Sequence, residues 1–262
     1  MPAPRPTRRQ LLLGGATLLA VGGTATAVWS AAPEPWVPDA PEGLVGLERV
    51  PSVAMGAAVD LFTAVPAGLG AGLGLPVVVV LHGSSASAAA LRGLGLGRFV
   101  SAAVAAGAPP FVLAGTDDGP AGWLPGGGAD PPAMLLTELP RWLAQRGFDA
   151  GRIAVWGWSR GGYGALRLAL DHPGWARAAA LFSPAVGDAE PELQDLTPLA
   201  TLPLGVWCGT RDIFYEPVRT LVRRLPEPPE ITTWADAGHT RVFWNRHTVT
   251  ALTWLSGHLT SG

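Results

Sequence analysis

The stretch IAVWGWSRGGYGALRLAL, residues 153–170, decides how the rest of the chain is read. Its first part, through Trp158, is a continuous apolar run of the kind that forms a strand buried on both faces. Its second part reads as a helix that Pro173 closes. Between them stands Ser159, with Gly157 two residues before it and Gly161 two after. With 35 glycines and 10 serines in 262 residues, chance supplies about 0.2 such glycine-serine-glycine matches, so the spacing alone is modest evidence. The order strand, serine, helix adds the physical content. A sharp turn there lifts a hydroxyl above the end of a sheet, and small flanking residues let the backbones pack closely around it. The helix that follows aims its N-terminus at the serine and favours negative charge there. A structural turn serine is the plainer reading of the same residues.

Outward from this stretch, strand and helix signals alternate. Residues 57–65, 76–83, 110–115, 176–184, 202–209 and 230–238 read as strands, with PVVVVLHG as the most continuous β-branched run. Helical stretches fall between them. The one at 130–147 opens on Asp130 and Pro131 and ends at Gly147, with Pro140 as an expected kink. This alternation predicts an α/β fold: one domain over residues 45–262, with a mostly parallel central sheet and helices on both faces. The run Gly93-Leu94-Gly95-Leu96-Gly97 follows no strand and lacks the spacing of a dinucleotide loop, so that reading is rejected.

A serine hydroxyl is a weak nucleophile and needs a base to take its proton and an acid residue to orient that base. Asp212 follows the strand at 202–209, and His239 follows the strand at 230–238. Both fall at carboxyl ends of strands, where open α/β sheets keep their sites. Asp236, Asp188 and Asp195 compete with Asp212. Of the other histidines, His82 adjoins an early loop, His172 closes a helix, and His247 and His258 lie on the last helix. A developing oxyanion needs two backbone N–H donors. Arg160, directly after the serine, supplies one, and the loop after residues 76–83 supplies the other, assigned to Ser84 with Gly83 and Ser85 as neighbours. Trp123 and Trp158 are expected to wall a substrate pocket, with core packing as the competing role. Asp117, Asp118 and the glycine-rich loop after them are further lining candidates. Cys208 reads as a packed strand-end residue.

The chain carries 18 Arg and no Lys, and its formal net charge is −2. No basic patch with interleaved aromatics is present, which argues against nucleic acid as a partner. One cysteine excludes an internal disulfide framework, and no clustered His and carboxylates suggest a metal. No cofactor is expected. Arg5, Arg8 and Arg9 precede an uncharged, moderately apolar stretch at 11–28 that contains Ala25-Thr26-Ala27. This pattern resembles a twin-arginine export signal over residues 1–27, which places the protein outside the bacterial cytoplasm, in the cell envelope or beyond. The alternative is an uncleaved membrane anchor, since about 18 uncharged residues can just span a bilayer. Residues 28–44 are Pro-rich and read as an extended linker.

The segments GWSRGGYGAL, VLHGSS, CGTRDIFYEPVR and AGHTRVFW together resemble the esterase branch of the α/β-hydrolases. That branch includes S-formylglutathione hydrolases, feruloyl esterases and secreted mycolyltransferases. The likeness covers roughly residues 55–258. It implies an α/β-hydrolase fold, with Ser159 as nucleophile, Asp212 as acid and His239 as base. Arg160 departs from the branch, where many relatives carry Met. No long insertion separates residue 183 from Asp212, so no large cap domain is expected. The expected function is a secreted serine esterase acting on small-molecule, lipid or sugar esters, with possible cell-envelope association. The alternatives are an envelope acyltransferase that uses the same acyl-enzyme, or a non-catalytic secreted binding module on this scaffold.

Overall fold

A computed structural model describes residues 34–187, 190 and 193–260. The export signal expected over 1–27, the first part of the expected linker and Asp188 lie outside the described residues. Eight strands form one sheet: β1 (Val45–Ser52), β2 (Ala57–Ala64), β3 (Pro76–Leu81), β4 (Val112–Thr116), β5 (Asp149–Trp158), β6 (Ala179–Phe182), β7 (Leu204–Gly209) and β8 (Ile231–Ala235). Their spatial order is β1-β2-β4-β3-β5-β6-β7-β8. β1, β2 and β4 pair antiparallel in sequence, and every pair from β4 through β8 is parallel. The helices are α1 (Ala90–Gly93), α2 (Leu96–Ala105), α3 (Pro131–Ala133), α4 (Leu139–Gln145), α5 (Arg160–Asp171), α6 (Tyr215–Arg224) and α7 (Arg241–Thr260).

The valine run of β3 shows why this sheet is central. All six residues of β3 are buried. Val77, Val79 and Leu81 face one layer with Leu139 and Leu143 of α4, Leu166 of α5 and Val218 of α6. Val78 and Val80 face the other, with Phe99 and Val100 of α2 and Leu252 and Leu255 of α7. A strand covered by helices on both sides has no polar face, so its sequence does not alternate.

β1 is the strand that the sequence reading does not contain. It is an edge strand whose middle is exposed, and Arg49 donates to Asp60 on β2 across the pair at 3.2 Å. Charged, half-wet edges protect a sheet from further pairing and weaken the apolar signal.

The expected linker is corrected where it is described. Residues 34–44 are extended but belong to the domain. The Trp36 ring meets Phe99 edge-on at 5.8 Å, and the Asn245 amide donates to the Trp36 carbonyl at 2.9 Å. The glycines rejected as a nucleotide loop make room for this segment. A Cβ on Gly95 would lie 2.6 Å from Val37, and one on Gly97 would lie 2.7 Å from Glu42 Cγ.

The kink expected at Pro140 appears as a wide π-turn over Met134–Glu138, between α3 and α4. There the Leu139 N–H donates to the Met134 carbonyl five residues back. Proline has no N–H for the ordinary helical bond, and the wider turn absorbs that loss.

Candidate active site

Ser159 sits between β5 and α5 with φ 56° and ψ −122°, a backbone conformation that non-glycine residues rarely adopt. The turn is held from several directions. The Ser159 N–H donates to the Phe182 carbonyl at 2.8 Å, and the Ser159 carbonyl accepts from Ala185 and Tyr163, each at 3.0 Å. Strain of this kind persists only where the surroundings over-determine it. The flanking glycines are steric requirements: a Cβ on Gly157 would overlap the Gly161 carbonyl, and a Cβ on Gly161 would overlap the Leu81 carbonyl of β3.

Asp212 follows β7, and His239 follows β8. The loop that carries Asp212 is tied to the neighbouring strand by Thr210 N–H to Ala235 O (2.7 Å) and Arg211 N–H to Ala237 O (3.0 Å). His239 Nδ1 lies 2.9 and 3.0 Å from the two Asp212 carboxylate oxygens, and His239 Nε2 lies 2.9 Å from Ser159 Oγ. An ionised carboxylate only accepts, so Nδ1 carries the proton and Nε2 is left to accept from the serine hydroxyl. The imidazole is gripped edge-to-face by Trp244 at 4.9 Å and by Phe214 at 5.2 Å. An imidazole held this way can take a serine proton without first reorienting.

The Asp212 side chain is fully enclosed. Burial pushes its pKa up. Hydrogen bonds from His239, the Phe214 N–H and the Ser183 hydroxyl outweigh that, and the carboxyl lies below the ordinary carboxylate value. The sequence does not flag Ser183. It is buried with φ 43°, and its Oγ also accepts from the Trp244 indole at 3.1 Å. One hydroxyl thus links the acid to the tryptophan beneath the imidazole.

The rival residues lie elsewhere. Asp236 pairs with Arg211 at 3.2 Å on the exposed side of the loop, and Asp195 accepts from the Thr197 N–H. His258 bonds Glu230, His247 packs on Phe243, and His172 caps the C-terminal end of α5, the end away from Ser159. Burial, with the Asp212 charge adding to it, pushes the Cys208 thiol up to about 12, so it stays protonated. Among the described residues no group of His, Cys, Asp and Glu could hold a metal ion.

The loop after β3 passes directly over the serine. A Cβ on Gly83 would lie 3.3 Å from the Ser159 Cβ and 2.9 Å from the Trp158 indole nitrogen. Ala86 N–H donates to the Gly83 carbonyl at 3.1 Å, so Ser84 and Ser85 are the central residues of a turn. The Arg160 N–H occupies the first position of α5, where no helical carbonyl can reach it.

The two expected wall residues part ways. Trp123 is buried, and its indole donates to the His82 carbonyl at 2.9 Å. Its side chain fills the space that Gly164 leaves on α5. It braces the loop from behind and does not line the pocket, a correction to the expectation. Trp158 lines a cavity of about 280 Å³, together with Ser85, Leu94, Trp156, Trp244 and Asn245; none of the three proposed triad residues is in its lining. A larger cavity near His172 and Pro203 lies at the opposite end of α5 and cannot serve the serine. Asp117 accepts from the Asp60 and Ala88 N–H groups and acts as a brace. Trp244 and Asn245 escaped the sequence reading because they sit in the last helix with no motif or strand-end position to mark them.

The Esterase family model, described as "Putative esterase", matches residues 52–257. No curated protein matches the chain. A ferulic acid esterase of solved structure is 18% identical with a TM-score of 0.72, over 82% of this chain and 98% of that one. An S-formylglutathione hydrolase from Agrobacterium tumefaciens is 19% identical with a TM-score of 0.65, over 83% and 96%. A fluorophosphonate-binding serine hydrolase from Staphylococcus aureus is 16% identical with a TM-score of 0.64, over 82% and 99%. At these identities the structural likeness is one of fold. With the family match covering most of the chain and the neighbours sharing its architecture, the protein belongs to this esterase family and has the α/β-hydrolase fold.

Proposed function

We propose that Ser159 is the nucleophile, His239 the general base and Asp212 the residue that orients it, in an esterase that works through an acyl-enzyme. The observation that carries this is the unbroken chain of hydrogen bonds from Ser159 through His239 to Asp212, 2.9 Å at each end. Ser159 Oγ attacks the ester carbonyl carbon as its proton passes to His239 Nε2. The carbonyl oxygen becomes an oxyanion, received by the N–H groups of Ser84 and Arg160. The carbon–oxygen bond to the alcohol then breaks, and the alcohol leaves with the proton from Nε2. Water, deprotonated in turn by His239, attacks the acyl carbon; the bond from that carbon to Ser159 Oγ breaks, Nε2 returns the proton to Oγ, and the carboxylic acid leaves. Asp212 holds the imidazole tautomer and balances its positive charge during both steps.

The test is hydrolysis of p-nitrophenyl acetate and butyrate. Ser159→Ala should lose on the order of 10⁶ in turnover, and a fluorophosphonate should add to Ser159 in the wild type. Equal rates for the two proteins would overturn the assignment.

Export, by a twin-arginine route or with residues 11–28 as an anchor, is supported by Arg8-Arg9 and the uncharged stretch behind them. It is tested by the compartment of the full chain with and without Arg8→Lys and Arg9→Lys. An exported acyl-enzyme could also pass its acyl group to a sugar or lipid alcohol. Product analysis with added glycerol or trehalose separates transfer from hydrolysis.

A further inference from the structure

A cavity is lined by the indoles of Trp156, Trp158 and Trp244 and by Leu94 and Leu96, and its one charged lining residue is Arg241. Two of its walls adjoin the triad, since Trp158 directly precedes Ser159 and Trp244 packs on the His239 imidazole at 4.9 Å. Arg241 is exposed at the first position of α7, two residues after His239. Among the described residues its side chain has no ion-pair or hydrogen-bond partner, and no carboxylate lines the cavity. Other arginines are engaged: Arg92 is held by Glu42, Arg98 by Asp39 and Arg160 by Asp118. Asn245, the remaining polar residue of α7 in the lining, has its amide N–H committed to the Trp36 carbonyl.

The position of the imidazole sets which arm of an ester enters. The leaving alcohol must face His239 Nε2, which protonates it. The His239 side chain is 23% exposed, and next to Asp212 the Ile213 side chain is open to solvent. The alcohol side is therefore open. The acyl chain stays on Ser159, directly after Trp158 of the cavity wall. A volume of 280 Å³ holds about nine water-sized volumes of ~30 Å³ each, room for a medium-length or aromatic acyl chain and too little for a long lipid.

We infer that this cavity takes an apolar acyl group bearing a carboxylate, and that Arg241 selects such esters by pairing with that anion at the cavity mouth. The inference rests on Ser159 being the nucleophile. The apolar arm gains from burial against the indoles. The carboxylate gains a charge-assisted pair with an unengaged guanidinium beside a low-dielectric wall. The chemistry at the ester bond is unchanged. The distal carboxylate neither forms nor breaks a bond, so the contact acts on binding.

The test compares p-nitrophenyl octanoate with the mono-p-nitrophenyl half-ester of suberic acid, which have the same chain length and differ by one terminal carboxylate, with spontaneous hydrolysis subtracted. The ratio of kcat/KM, half-ester over octanoate, should exceed one in the wild type at low salt and fall as NaCl screens the pair. It should drop about tenfold in Arg241→Leu, mainly through KM, and further in Arg241→Glu. A wild-type ratio at or below one, or a ratio that Arg241→Leu leaves in place, overturns the inference while the esterase reading stands. Failure of the wild type to turn over either ester, with no fluorophosphonate on Ser159, overturns both. If Arg241→Leu fails to fold, Arg241→Gln carries the same test with the same two outcomes.

Discussion

Arg160, the residue after the proposed nucleophile, points its guanidinium at Asp118, with Nη2 2.6 Å from Oδ2. The charge that departs from the esterase pattern is thus matched by a carboxylate from the loop after β4. Gly122, at φ 73°, leaves room for the arginine chain: a Cβ there would lie 2.7 Å from Arg160 Cδ. His82 Nε2 lies 4.0 Å from the other Asp118 oxygen, while His82 Nδ1 donates to the Gly83 carbonyl at 2.9 Å. Asp118 thus stands between the start of α5, whose Arg160 it pairs with, and His82 at the start of the loop over Ser159, 4.0 Å away. Those two segments carry the proposed oxyanion donors.

Asp118→Asn should lower kcat more than it changes KM, because it loosens the donors and not the cavity. It should also lower stability by about 1–2 kcal/mol, the cost of leaving a partly buried guanidinium unpaired. Adding Arg160→Met to Asp118→Asn should recover part of both losses, since residues in one ion pair are not additive. Steady-state kinetics and urea melts of the double-mutant cycle check this, and strict additivity would argue against the clamp.

Asp212→Asn should cost on the order of 10⁴ in kcat, because an amide no longer dictates the imidazole tautomer. A pH signature accompanies the loss. The Asp212 carboxyl is held below its ordinary value of 3.8 in the folded chain. Its contribution to stability is complete above that ordinary value and is lost as pH falls through the lower folded value. The stability gap between wild type and Asp212→Asn, measured by denaturant melts, should therefore be widest near neutral pH and narrow as pH falls below 3.8.

Gly161→Ala should abolish the native fold or lower stability by about 3 kcal/mol or more, since its Cβ would overlap the Leu81 carbonyl and backbone cannot swing away as a side chain can. Thermal melts and the soluble yield report this. Gly257→Ala, where a Cβ meets nothing within 4 Å, serves as the mild control.

Cys208 should stay unreactive towards dithiobis(nitrobenzoate) in the native protein and react promptly in urea. Its thiol is buried and held protonated up to about 12. Thiol titration under both conditions checks this.

The parts of the fold legible in the sequence are those where local pattern and burial agree. The unbroken valines of β3 and the strand–serine–helix order at 153–170 mark strands covered on both sides, and helix signals between strands imply the parallel sheet. β1 is missed because its half-exposed, charged strand alternates weakly. The seat of residues 34–44 is missed because a Pro-rich segment carries no periodicity, and its anchors, Phe99, Gly95 and Asn245, lie far along the chain.

By itself the sequence determined which residue types were available for the chemistry and their places at strand ends: Ser159 after β5, Asp212 after β7 and His239 after β8. Only the tertiary structure decided which tryptophan walls the cavity and which braces a loop, that Ser183 bonds both Asp212 and Trp244, and that among the described residues Arg160 is engaged while Arg241 is not. The physical reason is range. Strand-end position follows from local pattern, but partnership between side chains depends on how β3, β5 and α7 approach one another, and no local window contains that distance.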